Sequence, residues 1–140
     1  MVKKYACKKL LISCGPRSIT GYAVDSFLGI APTGEGTQKE TGCDGETVRS
    51  LDPDKTYKIT LTIQQTSDDM GFFQRKYELD RETGLGDFPI LVRNLMGGEV
   101  FSAPQCWVAN SPERGYAKTA GTREITLDTG EGSWNDAMGV

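Results

Sequence analysis

The chain has 140 residues, 37% of them hydrophobic, which is enough for one domain with a real core and too few for two ordinary domains. It contains no histidine, the commonest general base and zinc ligand, so we expect no cofactor, metal or catalytic site, and an enzyme is the least favoured class. The net charge of -3 argues against a protein that grips nucleic acid phosphates, and no apolar run approaches bilayer length, so no membrane partner is expected.

The first third of the chain predicts short strands and one projecting segment. Residues 9–14 (KLLISC) indicate a first strand, and residues 18–31 hold enough β-branched and aromatic side chains for one or two more. Residues 32–54 are rich in Gly, Thr and charge, which predicts an exposed loop or a long β-hairpin projecting from the body. We therefore divide the chain into a basic arm with the first strand (1–17), a β domain (18–129) and an acidic tail (130–140).

The clearest strand comes next and leads into the only credible helix. In residues 55–65 every second side chain is apolar, the pattern of a strand with one buried face: Tyr57, Ile59, Leu61 and Ile63. Residues 66–69 (TSDD) supply a hydroxyl cap and two carboxylates for a helix start. Apolar residues then recur at helical spacing at Met70, Phe73 and Tyr77.

The last half of the chain predicts a turn-rich connector (80–87) and three further segments. Residues 88–95 (FPILVRNL) form a strand that is apolar on both faces, and residues 96–98 form a hairpin turn. The return strand, 99–110, has a bulge or an edge at Pro104, with Phe101, Ala103, Gln105 and Trp107 on one face and Val100, Cys106 and Val108 on the other. Residues 122–129 are the last strand, with Ile125 and Leu127 inward, and the tail after it is expected to be mobile in a monomer.

These elements predict a mainly β fold, an antiparallel β-sandwich or barrel of six to eight strands with one flanking helix. The predicted helix has a second apolar face that one core cannot cover, because Phe72 and Leu79 lie opposite the face that carries Met70. Either the chain's own loops or a neighbouring subunit covers this second face. The candidate interface residues are Phe72, Leu79, Phe88, Leu91, Leu95 and Trp134.

Two rows of polar side chains face away from the predicted core on strands 55–65 and 122–129. They suit an ordinary solvated sheet face, and equally the wall of a water-filled passage in a multi-subunit barrel. A passage for nucleic acid needs a neutral or acidic wall, so that phosphates do not bind. The candidate wall residues are Thr60, Thr62, Gln64, Glu124, Thr126 and Asp128.

The four cysteines, Cys7, Cys14, Cys43 and Cys106, contain no Cys-x-x-Cys pair, which argues against a zinc site and a dithiol redox motif. They are free thiols, or some of them form disulfides later under oxidising conditions. The charged residues are also unevenly distributed along the chain. Those before Val24 are all Lys or Arg, and those after Arg123 are all Asp or Glu. The basic start and the acidic end are either two solvated arms, or they attract each other in contacts between copies.

From about residue 19 to residue 129 the chain resembles the tail tube proteins of contractile-tailed bacteriophages. The resemblance rests on the Gly, Thr and charge-rich segment 31–51 that ends in TGCDGETVRSL, and on KTYKITLTIQQTS followed by a short helix. It continues with FPILVRNL, the Gly-Gly turn and an aromatic return strand, and ends with TREITLDTG.

This resemblance implies a structural virion protein that is assembled in the host cytoplasm. Its hexameric rings would stack into a tube inside a contractile sheath and around a tape-measure protein, between baseplate and tail terminator proteins, and the genome would pass through the lumen without specific binding. Each subunit would contribute its sheet to a continuous lumen barrel. The segment 31–51 would contact the next ring, through residues such as Thr37, Lys39, Glu40, Cys43, Asp44 and Arg49.

The alternatives are a tail completion or baseplate protein of the same fold that forms a single ring, and a monomeric β-sandwich that binds a ligand such as carbohydrate. The monomeric module predicts an exposed aromatic cluster on one face and no assembly.

Overall fold

The computed structural model describes residues 10–19, 27–94, 98–111 and 114–135. Ten strands and one helix are formed there. In chain order they are β1 (Leu10–Cys14), β2 (Arg17–Ser18), β3 (Leu28–Pro32), β4 (Gln38–Thr41), β5 (Thr47–Ser50), β6 (Tyr57–Gln64), α1 (Asp69–Thr83), β7 (Phe88–Asn94), β8 (Val100–Asn110), β9 (Thr122–Thr129) and β10 (Ser133–Asn135). Within these described ranges, no helix has the length and the apolar character needed to cross a membrane.

Eight of the strands form one antiparallel sheet in the order β2-β1-β7-β8-β9-β6-β3, with β10 pairing to β8. The remaining two, β4 and β5, pair only with each other as a separate hairpin. Leu10 and Val92 near one end of the sheet line a cleft of about 160 Å³ together with Leu28 and Ile30 at the other end. The sheet therefore curls until its two ends approach, which confirms the predicted mainly β, antiparallel fold.

The core lies inside this curl and follows the alternation of the sequence. On β6, Ile59, Leu61 and Ile63 are buried while the residues between them are partly exposed. Strand β9 has the predicted bounds, and its Ile125 and Leu127 are buried against β6 as predicted. Period-2 alternation thus predicted the centre of the sheet correctly.

A bulge in β8 corrects the predicted faces of that strand. Between two consecutive pairings β7 advances two residues, from Phe88 to Ile90, while β8 advances three, between Ala103 and Cys106. Because side chains alternate, the extra residue changes which positions face the core. Before the bulge the buried residues are Phe101 and Ala103, and after it they are Cys106 and Val108. Gln105 and Trp107, predicted to share the face of Phe101, instead lie on the opposite face. The bulge itself was predicted at Pro104.

The helix runs four residues further than the sequence predicted and ends at Thr83. Gly84 follows in the left-handed conformation, with φ of 72°, and its N–H donates to the Asp80 carbonyl at 2.9 Å. Phe73 is fully buried, and the half-buried Phe72 ring lies 5.7 Å from the Phe88 ring. The chain's own strand β7 therefore covers the Phe72 side of the second helix face.

The helix start is tied to β2 by an ion pair. The N-cap residue is Asp68, whose side chain makes no capping hydrogen bond, so the predicted hydroxyl cap is not formed; Ser67 Oγ, one residue earlier, accepts a hydrogen bond from the Asp69 N–H at 3.3 Å. Asp69 is only 3% exposed, and Arg17 Nε donates to its Oδ1 at 2.6 Å. Asp69 is therefore more than a first-turn carboxylate, because it anchors the helix to a strand 52 positions earlier.

Both described ends of the chain are strands of the main sheet. At one end, β1 pairs with β7 along its whole length. At the other, Trp134 of β10 lies opposite Phe101, with 5.1 Å between the two ring centroids. The first residues of the acidic tail are thus docked on the body, which gives Trp134 a packing role within the subunit.

Candidate functional site

A polar wall covers the outer face of β6 and β9. The antiparallel register places Thr60 opposite Thr126 and Thr62 opposite Glu124, so all six wall residues predicted from the sequence share this face. Neighbouring positions complete the wall, with Lys58 opposite Asp128 and Gln64 opposite Thr122. We call this face the polar wall.

The charge of the polar wall is low and slightly negative, with one lysine against the two carboxylates of Glu124 and Asp128. Phosphate backbones are held by several Lys or Arg side chains, so this wall lacks the charge to bind nucleic acid. Trp107, which pairs with Asp128, extends the same face onto β8. Groups of three or more potential metal ligands do not occur among the residues that the structure describes.

The β4–β5 hairpin is the second candidate surface, and every residue of its two strands is exposed. Its register places Lys39 directly opposite Arg49 and Glu40 opposite Val48. The turn is closed by the Gly42 N–H, which donates to the Glu46 carbonyl at 2.8 Å. The residues predicted to contact the next ring all lie on this hairpin or directly beside it: Thr37, Lys39, Glu40, Cys43, Asp44 and Arg49.

Asp52 holds the base of the hairpin. One carboxylate oxygen accepts the Gly36 N–H at 3.0 Å, and the other accepts the Asp54 N–H at 2.9 Å. The two chain segments that enter and leave the hairpin are therefore joined at one half-buried side chain. The base is fixed by hydrogen bonds, whereas the strands beyond it are uncovered.

The predicted interface residues fall into different environments. Leu79, Leu91 and Trp134 are each about 40% exposed, at 41%, 42% and 41%. Phe88 is 4% exposed and packs beside Phe73, which corrects its expected role, because it offers no surface to a neighbouring chain. Leu95 lies outside the described residues.

The sequence reasoning missed Leu11, which is 50% exposed on the outer face of β1. Its strand pairs with β7 so that Leu11 lies opposite Arg93 and Ser13 opposite Leu91. Leu11 and Leu91 are therefore diagonal neighbours on one outer face. The signal was present in KLLISC, which, like β7, is apolar at consecutive positions.

The described cysteines are all free, with Cys14 and Cys106 buried and Cys43 exposed in the hairpin turn. Burial, together with the charge of Asp69, raises the pKa of Cys14 to about 12. Burial also raises the pKa of Cys106, with smaller effects from Cys14 and Asp128. Strand β7 separates the strands that carry these two thiols, a spacing of roughly 9–10 Å, which exceeds the reach of a disulfide. Cys7 lies outside the described residues.

Comparison with known sequences gives one family and one curated relative. The family model described as bacteriophage PhiTE tail tube protein matches residues 15–134. Structural protein ORF10 of Pseudomonas phage KPP10 is 22% identical over 112 residues, which cover 79% of this chain and 65% of that protein. The chain thus spans about two thirds of the length of the relative.

Comparison with solved structures shows the same fold in chains of three particles. The sheath-tube complex of the extracellular contractile injection system PVC in its extended state contains a chain with a TM-score of 0.64 at 14% identity, covering 96% of this chain and 93% of that one. The tube-terminating cap of the anti-feeding prophage gives 0.63 at 13% identity, covering 98% and 95%. The virion of a gene transfer agent gives 0.57 at 14% identity, covering 94% and 99%.

Proposed function

The chain belongs to the bacteriophage PhiTE tail tube protein family, and from this premise we propose that it is the repeating subunit of a phage tail tube, assembled as stacked hexameric rings. The role is structural and involves no catalysis. Copies bury apolar patches and strand edges against one another, and the product is a stiff hollow cylinder. The protein works in the virion tail after assembly in the host cytoplasm.

The polar wall is the observation that carries this proposal. Its threonines, glutamine and few charges make a hydrated surface, and they face away from a core that is complete without them. Repeated around a ring, such a face lines a wide passage with water. Because its net charge is slightly negative, DNA passes along it without binding.

The exposed apolar side chains supply the contacts between subunits. Leu11 and Leu91 form one patch, Leu79 lies on the helix, and Trp134 lies on β10. Solved structures with this fold come from a sheath-tube complex, a sheath/tube terminator and a tube cap, and we propose the corresponding partners here. These are a contractile sheath outside the tube, a terminator and a baseplate at its ends, and a tape-measure protein and then the genome inside it.

Electron microscopy of the purified protein over a concentration series tests the assembly. We expect stacked rings with sixfold symmetry that lengthen into tubes as concentration rises. A monomer that persists at the highest concentration contradicts the proposal.

A pair of wall substitutions tests the lumen. In the Thr60→Lys, Thr126→Lys variant two lysines face each other on the wall, so tubes should form with normal diameter and retain DNA at low salt. The matched Thr60→Gln, Thr126→Gln variant should form tubes that retain none. If the lysine variant fails to assemble while the glutamine variant assembles, the wall is a subunit interface and not a lumen.

A second candidate function is a protein of the same fold that closes the end of a tube as a single ring. The likeness to the tube-terminating cap, with a TM-score of 0.63, favours it almost as much as the likeness to the sheath-tube complex favours a tube subunit. The same microscopy separates the two, because an end protein forms rings that do not stack at any concentration.

A further inference from the structure

Among the described residues of its own subunit, the β4–β5 hairpin pairs with no other strand and buries none of its strand side chains. All four residues of each strand are exposed, and Val48, the one apolar residue among them, is 60% exposed. An isolated two-stranded hairpin is at best marginally stable in water, because it has no apolar face to bury. The hairpin therefore gains its stable form from a surface outside the subunit.

The charges on one face of the hairpin indicate what that surface carries. Lys39 and Arg49 are direct cross-strand neighbours, and like charges at such positions repel. The ion pairs of the described residues involve neither of them, since they join Arg17 to Asp69 and Lys55 to Glu131. Two unneutralised cations on an uncovered face fit a surface with two carboxylates.

The exposed side of α1 carries such a pair. Glu78 and Glu82 are one turn apart, both exposed, and like charges at this spacing also repel. Leu79 lies between them in sequence and is 41% exposed, and Leu85, just beyond the helix, is 72% exposed. Arg75 and Arg81, both exposed and three residues from Glu78, flank the pair, but the ion pairs of the described residues include neither Glu78 nor Glu82.

The two surfaces match in spacing as well as in sign. Side chains directly opposite across two strands have Cβ atoms about 5 Å apart, and residues four apart on a helix have Cβ atoms about 5–6 Å apart. Each cation can therefore face one carboxylate. Leu51, which follows β5 and is 70% exposed, and Leu79 supply an apolar contact beside the charges.

We propose that Lys39 and Arg49 of the hairpin dock on Glu78 and Glu82 of α1 in a second copy of this chain. Within one subunit both surfaces are exposed, so they do not cover each other. A contact between two different surfaces of the same chain repeats from copy to copy and produces a ring or a filament. The inference rests on the proposed function, because it names the surface that receives the hairpin in the tube.

Charge reversal tests the docking through the critical concentration for polymerisation, measured by light scattering and pelleting. The Lys39→Glu, Arg49→Glu variant and the Glu78→Lys, Glu82→Lys variant should each raise it about tenfold or more, because two attractions become repulsions. The variant with all four substitutions should return it to within about threefold of the wild type. All the changed side chains are exposed, so circular dichroism and urea unfolding of the monomers should stay unchanged.

A matched control changes the other face of the hairpin. Gln38 and Ser50 are direct cross-strand neighbours on the opposite face and are not among the predicted ring contacts, so Gln38→Lys, Ser50→Lys should leave polymerisation unaltered. If the wild-type protein never polymerises, this result contradicts the proposed function itself. A wild type that forms tubes overturns only the docking if either charge-reversed variant polymerises normally, or if the fourfold variant stays as defective as its parents. Normal tubes of the Lys39→Glu, Arg49→Glu variant that no longer bind sheath would assign the hairpin to the sheath and likewise overturn it.

Discussion

The curled sheet and the β4–β5 hairpin are held by different physics, although one chain forms both. In the sheet, three alternate residues of β6 are buried, and each such side chain contributes about 1.5–3 kcal/mol. In the hairpin no strand residue is buried, and two cations oppose each other. The sheet therefore has a buried core of its own, whereas under the proposed docking the hairpin depends on other copies. Under that proposal, the sheet specifies the fold and the hairpin contributes to assembly.

The largest loss of stability should follow from removing the aromatic side chain of Phe101 from the core of the sheet. Phe101 is fully buried, and its centroid lies 5.1 Å from the Tyr57 and Trp134 rings. Phe101→Ala should lower the free energy of unfolding by about 3–5 kcal/mol, because it leaves a cavity. Urea unfolding followed by tryptophan fluorescence measures this loss. Leu51→Ala at the hairpin base is the control, and equal losses in both variants would abolish the distinction between sheet and hairpin.

A smaller loss of stability should follow from a substitution at Gly132, where the tail passes over two core rings. A Cβ on Gly132 would lie 3.0 Å from Phe101 Cζ and 3.1 Å from Tyr57 Cδ2, with both rings already packed. Gly132→Ala should therefore lower the free energy of unfolding by about 1–3 kcal/mol through overpacking. A Cβ on Gly29 of β3 would meet no atom within 4 Å, so Gly29→Ala is the matched control. An unaffected Gly132→Ala variant would mean that β10 contributes no stability to the sheet.

The buried thiols should make the sheet sensitive to alkaline pH. The pKa of Cys14 is raised from its ordinary value of 9.0 to about 12, and that of Cys106 is raised too, so both stay protonated in the folded chain. Unfolded thiols ionise above pH 9, so the stabilising effect is full below that value and is lost as pH rises toward 12. By pH 9.5 the loss should be about 1 kcal/mol for each thiol.

The measurement is the change in unfolding free energy between pH 7.5 and 9.5, compared with that of a Cys14→Ala, Cys106→Ala variant, which should change less. In the folded protein at pH 8, iodoacetamide should modify Cys43 and spare the two buried thiols. Equal rates at Cys43 and Cys14 would contradict the burial on which the pH effect depends.

The smallest effect on the monomer concerns the hairpin. Amides of residues 38–50 should exchange with solvent almost freely in the monomer and slow by about tenfold or more in assembled tubes. Those of β6 should be protected in both states, because they lie between β3 and β9. Hydrogen exchange with mass spectrometry measures the two segments in one experiment. Protection of the hairpin in the monomer would show that it needs no other copy.

Local periodicity predicted the parts of the fold that depend on single strands. The alternation of residues 57–63 and 122–129 placed Ile59, Ile125 and Leu127 in the core and the polar wall opposite them. The composition of residues 32–54 predicted the projecting hairpin in the same way. The ion pair between Arg17 and Asp69 was beyond the reach of this reasoning, because it joins positions 52 apart through the topology. The burial of Phe88 was missed for a similar reason, since a strand that is apolar on both faces does not reveal which face the helix covers.

The bulge at Pro104 also limits how the chain can misfold. Strand β8 buries odd-numbered residues before it and even-numbered residues after it, so the apolar pattern fits the core only when the extra residue lies between Ala103 and Cys106. A slide by one residue would turn Phe101 and Cys106 outward together, and an extra residue placed elsewhere in β8 would have to leave Pro104, which has no N–H to donate, within the regular ladder. The bulge thus favours a single strand register, and in the proposed polymer this would keep the copies identical where one slipped subunit would end growth.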